Sequence, residues 1–138
     1  RYMRALRDAG LPVIPEYVFR KTIDSDSGYE AMEHFMSLKV KPSAVFITVH
    51  DLVTGALSYC SEHKVSIPDD ISFVVFENEE ASKIYRPTLS YATQPMKKMA
   101  EGACQMLIDR IKCSDVGAAR CSVMNADFVE GLYVKNMN

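Results

Sequence analysis

A small set of polar side chains stands directly after apolar runs or at the start of amphipathic ones. His50 and Asp51 follow Ala44–Val49, Glu77 and Asn78 follow Ile71–Phe76, Gln94 follows Leu89–Thr93, and Asp24 and Asp26 precede a helical pattern. An imidazole, carboxylates and amides together offer both hydrogen-bond donors and acceptors, as a polyhydroxylated small molecule requires. A catalytic reading is weaker. His50 and Asp51 are adjacent, and neighbouring side chains seldom orient one another. No GxSxG, HExxH, P-loop or GxGxxG pattern occurs. The chain therefore reads as a binding protein and not an enzyme.

Each candidate also has a structural alternative. Asp51 and Asp24 suit helix N-caps, and Asn78 can shape a turn. His63 ends a helix, where an imidazole complements the dipole, and His34 reads as surface. For His50 and Glu77, each directly after a buried strand, both readings stay open. Cys60, Cys104, Cys113 and Cys121 show no CxxC spacing, and Cys60 and Cys104 fall on apolar helix faces as small hydrophobes. No metal site and no cofactor is expected. Thiols without a pattern fit a reducing compartment.

The elements that must position these groups alternate between strand and helix. Tyr2, Ala5, Leu6 and Ala9 share one helical face closed by Gly10. Glu16–Arg20 can form a short strand. Asp24-Ser25-Asp26-Ser27 supplies caps for a helix whose inner face is Ala31, Met32, Phe35 and Leu38. Ala44–Val49 and Ile71–Phe76 are continuous, β-branched and apolar, the pattern of strands buried on both faces. Between them lies a helix with Leu52, Ala56, Tyr59, Cys60 and His63 inward. This βαβ unit predicts a parallel sheet flanked by helices. In such sheets ligands bind beyond the carboxyl ends of the strands, which selects the polar groups named above. A short strand at Leu89–Thr93 follows. Pro95 opens a long helix with Met96, Met99, Ala103, Leu107 and Ile111 on its apolar face. Arg120–Glu130 reads as a final strand or strand pair, and Leu132–Asn138 as a tail.

The 138 residues fit one ordinary domain, with 48% hydrophobic and 25% charged side chains. The net charge is −2, and Lys and Arg are spread along the chain, which gives no nucleic-acid footprint in this segment. No apolar run approaches the ~20 residues of a bilayer span. The chain opens at Arg1 within a helical pattern, so it reads as a piece of a longer protein.

The order of these pieces resembles the LacI/GalR-type transcriptional regulators, specifically the C-terminal part of their effector-binding domain, similar in fold to type I periplasmic binding proteins. Arg1-Tyr2…Ala5-Leu6…Ala9-Gly10 looks like the family's GYxxALxxAG helix, and Ser27-Gly28-Tyr29-Glu30-Ala31-Met32 like its next helix start. Pro42-Ser43-Ala44-Val45-Phe46, followed by His50-Asp51 and Gly55-Ala56-Leu57, looks like PTAxxxxND…GAL. Ile67 to Asn78 looks like VPxDISVVGFDN, the most specific block. Arg86-Pro87-Thr88-Leu89-Ser90 with Gln94-Pro95 looks like PxLTTV…QP. The resemblance covers nearly the whole chain.

The resemblance implies a two-lobed receptor with its ligand in the cleft between lobes. Residues 1–92 and about 119–132 would form the C-terminal lobe, about 93–118 would belong to the N-terminal lobe, and the DNA-binding domain would lie elsewhere. The implied ligand contacts are His50, Asp51, Glu77, Ile23, Asp24 and Gln94. His50 replaces the family's Asn, Glu77 replaces its Asp, and Val75 stands at its usual Gly. Phe128-Val129-Glu130-Gly131 lacks the Arg of its late LVxR signature. A ligand-contacting Arg of the family would lie upstream of Arg1. The implied partners are a small effector of carbohydrate type, operator DNA through the DNA-binding domain only, and a second copy in a cytoplasmic homodimer. Tyr59, Ile84 and Tyr85 are the interface candidates, with plain core packing as their alternative. A periplasmic sugar-binding component of a transporter, of the same fold, is the rival reading.

Overall fold

The computed structural model describes residues 2–76, 89–112 and 117–135. α1 (Tyr2–Asp8) closes as expected at Gly10, whose φ is +69°. Gly10 N–H donates to Arg7 O at 3.0 Å and Leu11 N–H to Leu6 O at 2.8 Å, the paired bonds of a Schellman cap. None of the residues of α1 is buried.

The expected strand at Glu16–Arg20 does not form. Pro15–Tyr17 is one 3-10 turn, and the chain leaves it extended at Val18 without joining the sheet. Side-chain bonds hold this stretch instead: His34 Nε2 donates to Glu16 O at 2.8 Å, and Tyr17 Oη donates to Val40 O at 3.0 Å.

α2 (Ser25–Ser37), β1 (Ala44–Ile47), α3 (His50–Glu62) and β2 (Ser72–Phe76) follow, and β1 pairs parallel with β2 in the register Ile47↔Val75. β3 (Ser90–Thr93) continues the parallel sheet with Phe76↔Ala92. After α4 (Met96–Ile111), β4 (Asp127–Val129) returns antiparallel to β3. The strand order is β1-β2-β3-β4, so the sheet is parallel over three strands and mixed overall. Of the span Arg120–Glu130, only Asp127–Val129 is strand among the described residues.

The core joins Met32 and Phe35 of α2, Val53, Ala56, Tyr59 and Cys60 of α3, and Phe73 and Val75 of β2. Ile47, Ile71, Leu89, Tyr91 and Tyr133 complete it. β1 corrects the expectation of a strand buried on both faces. Ala44 and Phe46, alternate residues on one face of β1, are exposed, Phe46 by 47%, while Val45 and Ile47 on the other face pack against the core.

The predicted apolar face of α4 is exposed too: none of its residues is buried, and Leu107 and Ile111 are 61% and 71% exposed. Polar contacts tether the returning chain to it. Arg120 pairs with Asp109 at 3.2 Å, and Arg110 Nη2 donates to Gly117 O and Ala118 O. Cys104 is likewise exposed, which corrects its placement on a buried face, whereas Cys60 is buried as expected.

The described part of the tail is docked, not loose. Gly131 N–H donates to the fully buried Ser90 Oγ, Phe73 N–H to Tyr133 O, and Lys135 N–H to Ser72 Oγ.

Candidate ligand-binding site

The parallel register brings the carboxyl ends of β1, β2 and β3 to one edge of the sheet. β1 delivers Thr48, Val49 and then His50 and Asp51, the first two residues of α3. β3 delivers Gln94 before α4. α2 begins beside α3, because two glycines let the helices touch backbone to backbone. A Cβ on Gly28 would stand 2.2 Å from Leu52 O, and one on Gly55 1.7 Å from Ser25 O. This approach places the first turn of α2 against the Leu52–Gly55 stretch of α3.

Asp24 is the N-cap of α2, with Oδ1 accepting from Ser27 N–H at 2.7 Å. Hydrogen bonds from the Thr22 side chain and from Ser27, with help from Lys21, hold its carboxyl below the usual range. Lys21 itself pairs with Glu30. Asp51 is not a cap: the N-cap of α3 is Val49, which makes no side-chain cap bond. The Asp51 carboxylate lies exposed in the first turn, where the helix dipole favours a negative charge. His50 is half-buried and Gln94 exposed, with the Gln94 carbonyl accepting from Met96 N–H at 2.8 Å. Ile23 is 65% exposed. Glu77, Ile84 and Tyr85 lie outside the described residues.

Tyr59 is only 8% exposed. Its ring stacks on His63 at 4.1 Å and meets Tyr29 edge-on at 5.2 Å, so the packing alternative holds for it within this chain. His63 caps α3, and its Nδ1 donates to Tyr59 O at 3.1 Å.

A cavity of about 1050 Å³ lies beside this edge. Ile23, Thr48 and Phe76 line it, while His50, Asp51, Asp24 and Gln94 do not. Its aromatic walls include Phe35, Phe46 and Phe76, which read from the sequence as core, and Phe19, which was not singled out. The only available signal, an apolar run at Ala44–Val49, reads equally as core. Among the described residues, no cluster of His, Cys, Asp or Glu could hold a metal ion, and no helix is long and apolar enough to cross a membrane.

In parallel sheets of this kind, small-molecule ligands bind beyond the carboxyl ends of the strands. The model of the periplasmic binding protein-like domain family matches residues 1–131. The chain belongs to that family, in the branch that forms the effector-binding domain of LacI/GalR-type regulators. The HTH-type transcriptional repressor PurR of Actinobacillus pleuropneumoniae is 31% identical over 111 residues, 80% of this chain and 33% of that protein. A LacI transcriptional regulator from Bacillus cereus subsp. cytotoxis superposes with a TM-score of 0.85 at 25% identity, over 99% of this chain and 48% of that one. A LacI family regulator from Enterococcus faecium, solved with bound ribose, shares the fold with a TM-score of 0.81 at 18% identity, over 99% of this chain and 50% of that one. The chain thus spans about a third of the curated relatives it matches and about half of the solved chains. These relatives are transcriptional regulators, not enzymes.

Proposed function

We propose that this chain forms most of one lobe of the ligand-sensing domain of a LacI/GalR-type transcription regulator, and that a sugar or related polyol is its effector. The observation that supports this reading is the parallel register, which brings the carboxyl ends of β1, β2 and β3 to one edge, where His50 and Asp51 follow β1 and Gln94 follows β3. Asp51 and Gln94 are exposed there, and a carboxylate and an amide match the donors and acceptors of sugar hydroxyls. Glu77, next in sequence after Phe76, is proposed as a further ligand contact. Asp24 works at one remove, since its carboxylate is engaged in capping and fixes the loop that presents Ile23. The ribose bound by the Enterococcus faecium regulator supports the sugar reading.

Residues 1–92 and about 119–132 make up this lobe, and about 93–118 reach toward the opposite one. The exposed apolar side chains of α4, beside a β4 that returns to the sheet, support that division. Effector binding shifts lobe closure, and in a cytoplasmic homodimer this changes operator affinity. Ile84 and Tyr85 carry the interface proposal, since Tyr59 is buried. The repressors among the relatives weigh against a transporter component.

The test is operator binding by the longer protein with and without ribose and other sugars, in parallel with His50→Ala and Asp51→Ala. The expected result is an effector that alters operator affinity, with sensitivity reduced about tenfold or more in both variants and effector-free operator binding unchanged. Wild-type response in both variants rejects the site. Half a cleft binds poorly, so submillimolar calorimetric binding of any pentose or hexose by this chain alone rejects the one-lobe reading. Tyr85→Asp gives monomers in size-exclusion chromatography, and an unchanged dimer rejects the interface.

A further inference from the structure

From Met96 to Lys135 the chain reaches the core through one side chain. Among the described residues of that run only Tyr133 is buried, at 8% exposure. No residue of α4 is buried, and β4 is exposed at all three positions. The Tyr133 ring joins the cluster that holds Cys60 and Phe73. Burial, with the neighbouring Cys60, pushes its phenol above the usual value.

The backbone on either side of Tyr133 is fastened across the amino ends of two strands. Ser90 opens β3, and its Oγ accepts the Gly131 N–H at 2.9 Å. Ser72 opens β2, and its Oγ accepts the Lys135 N–H at 3.0 Å. Between them Phe73 N–H donates to Tyr133 O at 2.8 Å. Phe73 lies one residue ahead of the β2–β3 register, which begins at Val74↔Ser90. Lys135 Nζ also meets Asp69 Oδ1 at 3.5 Å, an exposed pair that adds little. At its other end the returning chain is tied to α4, by Arg120 on Asp109 and by Arg110 on the Gly117 and Ala118 carbonyls. β4 links the two attachments, and it pairs with β3 over three residues only.

We propose that Gly131–Lys135 is a strap pinned by Tyr133, which opens as a unit while the rest of the core stays folded and, by opening, releases β4 and the chain returning from α4. Every other core side chain lies between Met32 and Tyr91, so these keep one another covered when the strap leaves. The hold of the strap is three backbone hydrogen bonds and one ring. The freed Ser72 and Ser90 hydroxyls, at strand starts, can bond to water. A segment with so little buried apolar surface opens at a lower free energy than the whole fold. The strap thus decides whether the chain after α4 is held to the sheet or joined to it only through β3. It lies at the amino edge of the sheet, so the proposal is independent of the effector reading, which concerns the carboxyl edge.

Residue-resolved native-state hydrogen exchange tests it. The expected result is one shared opening constant for the Gly131, Lys135 and Phe73 amides, about tenfold or more above that of the β1–β2 ladder amides. Tyr133→Ala should raise exchange at these three amides and in β4 by about a further tenfold, leave the β1–β2 ladder unchanged, and let Cys60 be alkylated without denaturant. Tyr133→Phe keeps the ring and should behave as wild type. Equal opening constants for the strap and the ladder overturn the proposal, because the strap then opens only when the whole chain unfolds. Unrelated constants at Gly131 and Lys135 overturn it as a unit. A Tyr133→Ala chain that does not fold also overturns it, since the strap is then an indispensable part of the core.

Discussion

Gly55 of α3 lies directly against the Ser25 carbonyl at the start of α2: a Cβ on Gly55 would fall 1.7 Å from that oxygen and 2.7 Å from Tyr29 N. Both obstacles are backbone, so no side chain can move aside. Gly55→Ala must separate the two helices that set the candidate site. It is expected to destabilise the chain by more than about 2 kcal/mol, in the upper part of the ~1–3 kcal/mol range for overpacked cores or beyond it. Urea unfolding measures this. Gly102→Ala is the contrast, since its new methyl meets only the flexible Met124 Cε at 3.2 Å. Gly102 lies within α4, so stability should hold or rise by up to about 1 kcal/mol. Equal losses in the two variants would contradict the close-approach argument.

Asp24 makes the entry to α2 sensitive to acid. Its folded-state pKa is lowered, chiefly by the Thr22 and Ser27 hydrogen bonds. The stability it contributes is therefore complete above the ordinary value of 3.8 and fades as pH falls through the lower folded value. Asp24→Asn keeps a capping oxygen and should preserve neutral-pH stability while removing this acid-dependent part. Asp24→Ala should lower stability at neutral pH as well. Thermal melts between pH 2 and pH 7 distinguish the three proteins.

Burial pushes the Cys60 thiol up to about 11. At pH 8 almost none of it is thiolate, the species that reacts. Alkylation of the native chain should modify Cys104 and Cys121, both exposed, and leave Cys60 intact until denaturant is added. Peptide mass mapping reads the order, and native labelling of Cys60 at the rate of Cys104 would refute its burial.

Ser90 is fully buried, and its Oγ accepts the Gly131 N–H at 2.9 Å. Ser90→Ala leaves that donor without its partner at the point where the chain docks after β4. A loss of about 1–3 kcal/mol is expected, with faster hydrogen exchange confined to the stretch around Gly131–Lys135. A uniform change across the whole chain would place the effect elsewhere.

Much of the architecture was legible before any coordinates. The apolar runs at Ala44–Val49 and Ile71–Phe76, separated by an amphipathic helix, specify a βαβ unit by local pattern alone, and the structure contains it. Gly10 and Asp24 announce a helix end and a helix start, because their conformational freedom and capping oxygen act within a few residues of themselves. What the sequence could not decide was which surfaces meet. Ala44 and Phe46 read as core, yet they are exposed because only the opposite face of β1, with Val45 and Ile47, packs against the core. Glu16–Arg20 has strand-forming residues but no neighbour with which to share hydrogen bonds. Tyr133 looked like tail, and it is core because Ser72 and Ser90, far away in sequence, bind the backbone on either side of it. The apolar stripe of α4 is sound as a helix pattern and has no surface here to bury it. Local chemistry determined the elements; burial depends on contacts between distant segments, and only the tertiary structure supplies those.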